Sequence, residues 1–283
     1  MHRRSIALAV VAALGLGIAV FPMAAGWVAA WQQRDLEARY DRVLVARTSS
    51  ERTAVLEDAL DYNRRLSTGR IHLTRPDMDL DYQARLQSGV GGRLNMMGTV
   101  VVPSIGVSLP VYHGTSAEIL ATGAGHVYGT SLPVGGAGTH AVISAHSGLA
   151  SARLFTDLRD LVVGDLFLVE AAEQVLYYAV DLVEVVTPDR VDELKAVRGQ
   201  DLVTLMTCTP IGVNSHRLLV RGVRTEAPAG AATASLRQGP GFPWWAVAFV
   251  GGVAATVTVS EVVGRRVGAR NAQGGGHDGT SHP

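Results

Sequence analysis

This chain is poor in several things that would each point to a class of protein. Its 283 residues include one cysteine, Cys208. No internal disulfide can form, so a disulfide-stapled fold is excluded. Basic and acidic residues balance at 25 each. A neutral chain lacks the basic footprint of a nucleic-acid binder, so no nucleic-acid partner is expected. Internal repeats are missing, which excludes a solenoid. The glycine-rich run Thr130 to Gly138 lacks the spacing and the lysine of a phosphate loop. A metal site would have to draw on His126, His140 and His146, but no HxxxH-type spacing or second thiol supports one. No acidic cluster demands calcium.

What is present is apolar. Hydrophobic residues make up 47% of the chain. The mean hydropathy is positive, which points to membrane segments rather than a very large core. Ile6 to Ala30 is almost wholly apolar and follows Arg3 and Arg4. Phe242 to Val263 is apolar again and precedes Arg265, Arg266 and Arg270. A spanning helix needs roughly 20 apolar residues, and both runs meet that. Flanking arginines favour the cytoplasmic side, so both termini are expected inside the cell and the middle of the chain outside. Trp31, Trp244 and Trp245 fit an aromatic belt at the outer interface. The small residues Ala24-Ala25 and Ala29-Ala30 also fit a cleaved signal peptide. The run is long for a signal segment, which favours an anchor in the lipid bilayer.

The chain then divides as follows. Residues 1–30 form the first anchor or signal segment. Residues 31–96 form a helical stalk and a candidate lid loop. Leu36, Tyr40, Val43 and Leu44 recur at helical spacing, and Ser49-Ser50 is a candidate cap for a second helix. Residues 67–95 read as a loop with one short helix at 79–86. Residues 97–226 carry strand and turn patterns. Strands are expected at Thr99 to Val102, Ile105 to Val111, Thr139 to Ala145, Leu166 to Glu170 and Gln174 to Val186. The last of these is long enough to bend around Asp181. Pro110 suggests an edge strand. Short helices are expected at Ala117 to Ala121, Ser151 to Leu158 and 191–197. Many short strands with few helices predict a mainly β domain, a closed or nearly closed barrel. Residues 227–241 read as a linker, 242–264 as the second transmembrane helix and 265–283 as a cytoplasmic tail, disordered from Gly268.

The stretch from Leu202 to Arg221 organises the rest. Val203, Leu205, Leu218 and Val220 alternate as two strands with one buried face require. Pro210, Gly212 and Asn214 form the connection between them. The pair places the Cys208 thiol and the Arg217 guanidinium near each other at one rim of a sheet. Facing residues in such a pair lie roughly 5 Å apart at Cβ. Nearby positive charge favours a thiolate, the form of cysteine that attacks acyl groups. The competing reading of Cys208 is a small buried hydrophobe. A cysteine nucleophile usually works with a histidine distant in sequence. His146 ends an apolar strand and precedes Gly148, so it is the best candidate, although spacing alone also permits a structural histidine. His113, His126 and His140 sit in or beside turns, and His216 points to the face opposite Arg217.

These residues resemble a known family. Thr204-Leu205-Met206-Thr207-Cys208 is similar to the TLxTC signature of sortases. The continuation TPIGVNSHRLLVRG resembles the class C, pilin-polymerising branch. So do GHVYGTSLPVGGAGTHAVISAHSG, from Gly125 to Gly148, and SARLFTDL, from Ser151 to Leu158. The likeness covers roughly Met97 to Arg224. The C-terminal apolar run with trailing arginines also resembles class C.

The resemblance implies an eight-stranded sortase-type β-barrel and a thiol transpeptidase. It implies a catalytic Cys208, His146 and Arg217, with Thr207 assisting substrate binding. Cys208 would attack the Thr–Gly bond of a Leu-Pro-x-Thr-Gly-like sorting signal on a secreted protein, a pilin subunit by the class C likeness. No cofactor is implied. Leu132-Pro133 is not followed by Thr-Gly, so the chain carries no such signal there. One departure concerns the lid of class C enzymes, which has an Asp-Pro-aromatic motif. Ser67 to Leu80 has no Asp-Pro, and Arg75-Pro76-Asp77-Met78 is only a scrambled analogue. Two other functions stand beside pilus assembly. One is anchoring of surface proteins to peptidoglycan, and the other is a non-catalytic, membrane-tethered scaffold.

Overall fold

A computed structural model describes residues 2–68, 96–190, 194–229 and 241–274. The loop and short helix expected within 67–95, including the lid, lie outside these residues apart from the end of the preceding helix. So do most of the linker, the start of the helix expected at 191–197 and the end of the tail. The chain forms two compact units, Ala29–Gly239 and a pair of segments, Met1–Val28 with Pro240–Pro283.

The larger unit is built on eight strands. They are β1 (Met96–Val102), β2 (Val107–His113), β3 (Ala124–His126), β4 (Thr139–Ser144), β5 (Leu166–Ala171), β6 (Gln174–Val186), β7 (Asp201–Thr209) and β8 (His216–Thr225). They close in the order β1-β2-β3-β4-β7-β8-β6-β5, and β5 returns to β1. The β2–β3 and β4–β7 pairs are parallel and the other pairs antiparallel. Closure leaves no free sheet edge. The edge expected from Pro110 is therefore replaced by a local gap. Pro110 pairs with Thr99 of β1, while the pairing of β2 with the three-residue β3 begins one residue later, at Val111. A residue without an N–H is tolerated where no neighbour needs one.

The barrel interior is apolar and sorted by strand alternation. Val100, Val111, Ile143, Phe155, Phe167, Tyr178, Leu205 and Val220 belong to one buried cluster. Each fully buried side chain of this kind contributes about 1.5–3 kcal/mol of transfer free energy. The bend expected near Asp181 is present, as a register shift between Val180 and Leu182 against β8. Two expected elements differ. Ser151 to Leu158 is not helical. Leu154 takes φ +42°, and only a short 3-10 turn follows at Thr156–Asp160. Val107, not Ile105, opens β2, because Pro103–Ile105 forms a 3-10 turn.

Among the described residues, two helices precede the barrel, α1 (His2–Ala46) and α2 (Ser49–Ser67). The cap of α2 is Thr48, one residue before the expected serines. Thr48 and Glu51 form a reciprocal capping box that satisfies two otherwise orphaned N–H groups. Asn63 of α2 clamps the glycine-rich loop. Its Nδ2 donates to the Leu132 carbonyl at 2.9 Å, and its Oδ1 accepts from the Leu132 amide at 2.7 Å. Tyr40 of α1 donates to the Met97 carbonyl at 2.9 Å. A third helix, α3 (Ala117–Thr122), is capped by Ser116.

The smaller unit pairs the start of α1 with α4 (Trp244–Gly274). The apolar stretches of these helices, within Val10–Ala46 and Trp244–Val263, are long and apolar enough to cross a membrane. Gly252 seats Leu16, since a Cβ there would lie 2.7 Å from Leu16 Cδ2. Trp27 donates to the Gly241 carbonyl at 2.9 Å and meets the edge of Trp245. The disorder expected from Gly268 is not found as far as Gly274, where α4 ends, and the rest of the tail lies outside the described residues.

Candidate active site

Strand β7 lies between a parallel neighbour, β4, and an antiparallel one, β8. Ala141 and Ile143 of β4, Val203 and Leu205 of β7, and Leu218 and Val220 of β8 face the core. Alternation sends Val142 and Ser144, Met206 and Cys208, and Arg217 and Leu219 to the opposite face. Parity thus places Cys208 and Arg217 on the same face, beside the buried Val142 and Leu219, and turns Thr207 inward.

Cys208 and Arg217 are register partners, as expected. On the other side of β7, Ser144 pairs with Met206. Continued two residues past the end of the ladder, this register would set His146 opposite Cys208. Because β4 ends at Ser144, other bonds carry the register onward. The Ala145 amide donates to the Met206 carbonyl at 3.1 Å. The Thr207 hydroxyl donates to the Ala145 carbonyl at 2.7 Å. The Ser147 hydroxyl donates to the Cys208 carbonyl at 2.6 Å. The fully buried Phe155 then anchors the turn, its amide donating to the His146 carbonyl at 3.0 Å. Cys208, His146 and Arg217 are all half-buried.

Thr207, expected to bind substrate, turns inward. It is 3% exposed and its hydroxyl is engaged by Ala145. Its side chain thus holds the histidine turn rather than the outer face. Ser147 carried no signal in the sequence, since a serine between histidine and glycine is an ordinary turn residue. Its role is visible only from the bond to Cys208.

The β7–β8 connection curls tightly. The amides of Val213 and Asn214 both donate to the Pro210 carbonyl, at 3.1 and 2.8 Å. Gly212 and Asn214 take φ of +80° and +60°. Arg217 Nη1 donates back to the carbonyls of Asn214 and His216 at 3.2 and 3.0 Å. That fixes the guanidinium while its Nε and Nη2 make no hydrogen bond among the described residues. Ile211 of this loop packs on Gly148 of the histidine turn. A Cβ at Gly148 would lie 2.3 Å from Ile211 Cγ2.

The other barrel histidines are structural in their surroundings. His126 is fully buried, with Nε2 2.9 Å from the Ser131 carbonyl and 3.0 Å from the Thr130 hydroxyl. Burial pushes its pKa down to about 4, against the opposing effect of these bonds. His140 ties Lys195 to β7. Its Nδ1 lies 2.9 Å from the Lys195 carbonyl and its Nε2 2.7 Å from the Thr204 hydroxyl. Burial again lowers its pKa. Burial thus disfavours the charged form of both rings, and both are committed to neighbours. No group of three or more His, Cys, Asp or Glu side chains among the described residues is arranged to hold a metal ion. A cavity of about 350 Å³ lies elsewhere, lined by Tyr40, Arg47, Asp58, Met97 and His113 and by none of the candidate site residues.

This arrangement can perform nucleophilic acyl transfer. Cys208 and Arg217 are paired across β7 and β8, and the turn that carries His146 is tied to the Cys208 carbonyl by Ser147, so a thiol, a guanidinium and an imidazole come from adjoining segments.

Comparison with known proteins agrees. A sortase domain model matches residues 100–225. Sortase A of Bacillus anthracis is 32% identical over 127 residues, which are 45% of this chain and 59% of that protein. The chain thus spans about three fifths of that curated relative. The crystal structure of sortase C1 from Streptococcus agalactiae is 40% identical with a TM-score of 0.62, covering 69% of this chain and 99% of that one. Sortase C of Clostridium perfringens, solved with the C-terminal cell wall sorting motif, is 40% identical with a TM-score of 0.60, covering 67% and 97%. With a closed eight-stranded barrel shared across nearly the whole of both sortase C domains at such identity, this chain belongs to the sortase family.

Proposed function

We propose that this chain is a membrane-anchored cysteine transpeptidase that acts outside the cytoplasm on Leu-Pro-x-Thr-Gly-like sorting signals. Cys208 is the nucleophile. Its thiolate sulfur attacks the threonine carbonyl carbon and forms a C–S bond. The carbonyl oxygen gains negative charge, and the free guanidinium donors of Arg217 stabilise it. The C–N bond to glycine then breaks. His146, as imidazolium, gives its proton to the leaving amine. A thioester on Cys208 and a neutral His146 remain. An incoming amine attacks the thioester, and His146 takes the proton that amine loses. The C–S bond breaks, the thiolate is restored and a new amide bond is released. Thr207 serves by holding Ala145, and with it the histidine turn. No step requires a metal or a redox group.

The single observation that carries this reading is the position of Cys208, with Arg217 opposite it on β8 and its carbonyl bound by Ser147 of the turn that carries His146. The sortase C neighbours favour a pilin lysine as the second amine, and the sorting motif in the Clostridium perfringens structure favours the substrate class. The two apolar helices favour a membrane anchor at each end of the barrel domain, with both termini cytoplasmic. A second reading, anchoring to a cell-wall amine, is favoured by the curated match to a sortase A.

The test uses the full chain in detergent with a sorting-signal peptide and hydroxylamine. The expected products are a threonine hydroxamate and a peptide adduct on Cys208. An adduct on another residue, or no hydroxamate, overturns the reading. Mapping the acceptor amine in cells that carry the chain then separates a pilin lysine from a wall amine.

A further inference from the structure

We infer that Ser147 is a positioning residue that sets the distance between the imidazole and the thiol. The kinetic part of this inference rests on the transpeptidase reading above; the geometric part does not. The parallel β4–β7 ladder stops at Ser144, two residues short of His146. Backbone ladder bonds would otherwise fix a side chain at that point. Here two hydroxyls substitute for them. Thr207 of β7 donates to Ala145, and Ser147 donates back to the carbonyl of Cys208. His146 is thus bracketed, one bond before it and one after. The two bonds run in opposite directions between the same two segments, so together they resist both sliding and splaying.

The Ser147 bond is the closer of the two to the chemistry, because its acceptor is the carbonyl of the nucleophile's own residue. The 2.6 Å distance allows little slack. The next residue, Gly148, takes φ +71° and leads the chain away under Ile211. Without the serine hydroxyl, the turn from His146 to Gly148 retains the bond to Phe155 and the contact with Ile211, so the fold persists. What it loses is the tie to Cys208. Displacement of a catalytic group by about 1 Å can lower turnover by roughly 100-fold.

The experiment compares wild type, Ser147→Ala, Ser147→Thr and His146→Ala as full chains in detergent. It reads kcat and KM for hydroxamate formation, and the pH profile of Cys208 alkylation by iodoacetamide. For Ser147→Ala, kcat is expected to fall by roughly tenfold or more with KM nearly unchanged. Its alkylation profile is expected to move toward that of His146→Ala. Ser147→Thr, which keeps the hydroxyl, is expected to restore both. Wild-type kcat together with a wild-type alkylation profile in Ser147→Ala overturns the inference. So does Ser147→Thr behaving like Ser147→Ala while melting at the wild-type temperature. If wild type itself yields no hydroxamate, the transpeptidase reading fails, and the alkylation profiles alone decide whether Ser147 sets the spacing.

Discussion

Thr207 and Ala145 are joined by a side-chain bond where a strand ladder has just ended, the threonine hydroxyl donating at 2.7 Å to the alanine carbonyl. The residue before the nucleophile therefore steadies the residue before the histidine. Thr207→Val keeps the shape but leaves a buried carbonyl without its donor, at a cost of about 1–3 kcal/mol. Thr207→Ser keeps the donor. Denaturant midpoints are expected to fall for valine and to stay near wild type for serine, with the slope of unfolding unchanged.

In the proposed reaction Cys208 makes the bond to the substrate and Arg217 stabilises the charge that develops. Cys208→Ala is expected to abolish the peptide adduct. Arg217→Ala is expected to slow adduct formation by about 10²–10³-fold, the usual loss for one oxyanion donor. Stopped adduct formation followed by mass spectrometry reads both. An Arg217→Ala variant with wild-type adduct rates would remove the guanidinium from the mechanism.

His126 makes the barrel sensitive to acid. Its pKa of about 4 in the fold lies below the ordinary 6.5, because burial opposes the charged form. The unfolded chain therefore binds the proton first. Stability is complete above about pH 6.5 and falls as pH drops toward 4, by ~3 kcal/mol for this one group. His140, lowered in the same direction, adds to the slope. Thermal unfolding between pH 7 and 4 should show the midpoint falling, and less steeply in His126→Gln. Equal slopes in the two proteins would assign the acid sensitivity elsewhere.

Gly148 and Ile211 join the histidine turn to the loop that leads into β8 and Arg217. Gly148→Ala faces two penalties, a left-handed φ and a 2.3 Å approach to Ile211 Cγ2. Peptide turnover is expected to fall. Adding Ile211→Ala removes the clash but not the φ penalty of roughly 1–2 kcal/mol. The double variant should recover part of the activity. A double variant no better than Gly148→Ala would place the whole effect on the backbone.

Much of the site was legible in the chain because strand parity is a local property. Alternating Val203, Leu205, Leu218 and Val220 fixed one buried face. Cys208 and Arg217 had to share the other if the two strands paired in the register of their short turn, and they do. The tie between the His146 turn and Cys208 was not legible in this way. It depends on a parallel contact between β4 and β7 across more than 50 intervening residues, which no local pattern encodes. The helix expected at Ser151 to Leu158 failed for a related reason. Phe155 and Leu158 are buried in the barrel core, Leu158 from a 3-10 turn, and Leu154 takes φ +42°, which an α-helix does not allow.

The sequence by itself determined the apolar helices at each end, the capped α2, the strand alternation and the choice of one cysteine. Each depends on neighbours within a few residues, where periodicity and capping chemistry act directly. Only the tertiary structure decided that the sheet closes, that Thr207 reaches the carbonyl of Ala145, and that Ser147 reaches the carbonyl of Cys208. Those outcomes come from pairing segments far apart in the chain, and a hydroxyl's partner is set by whatever acceptor that pairing brings within about 3 Å.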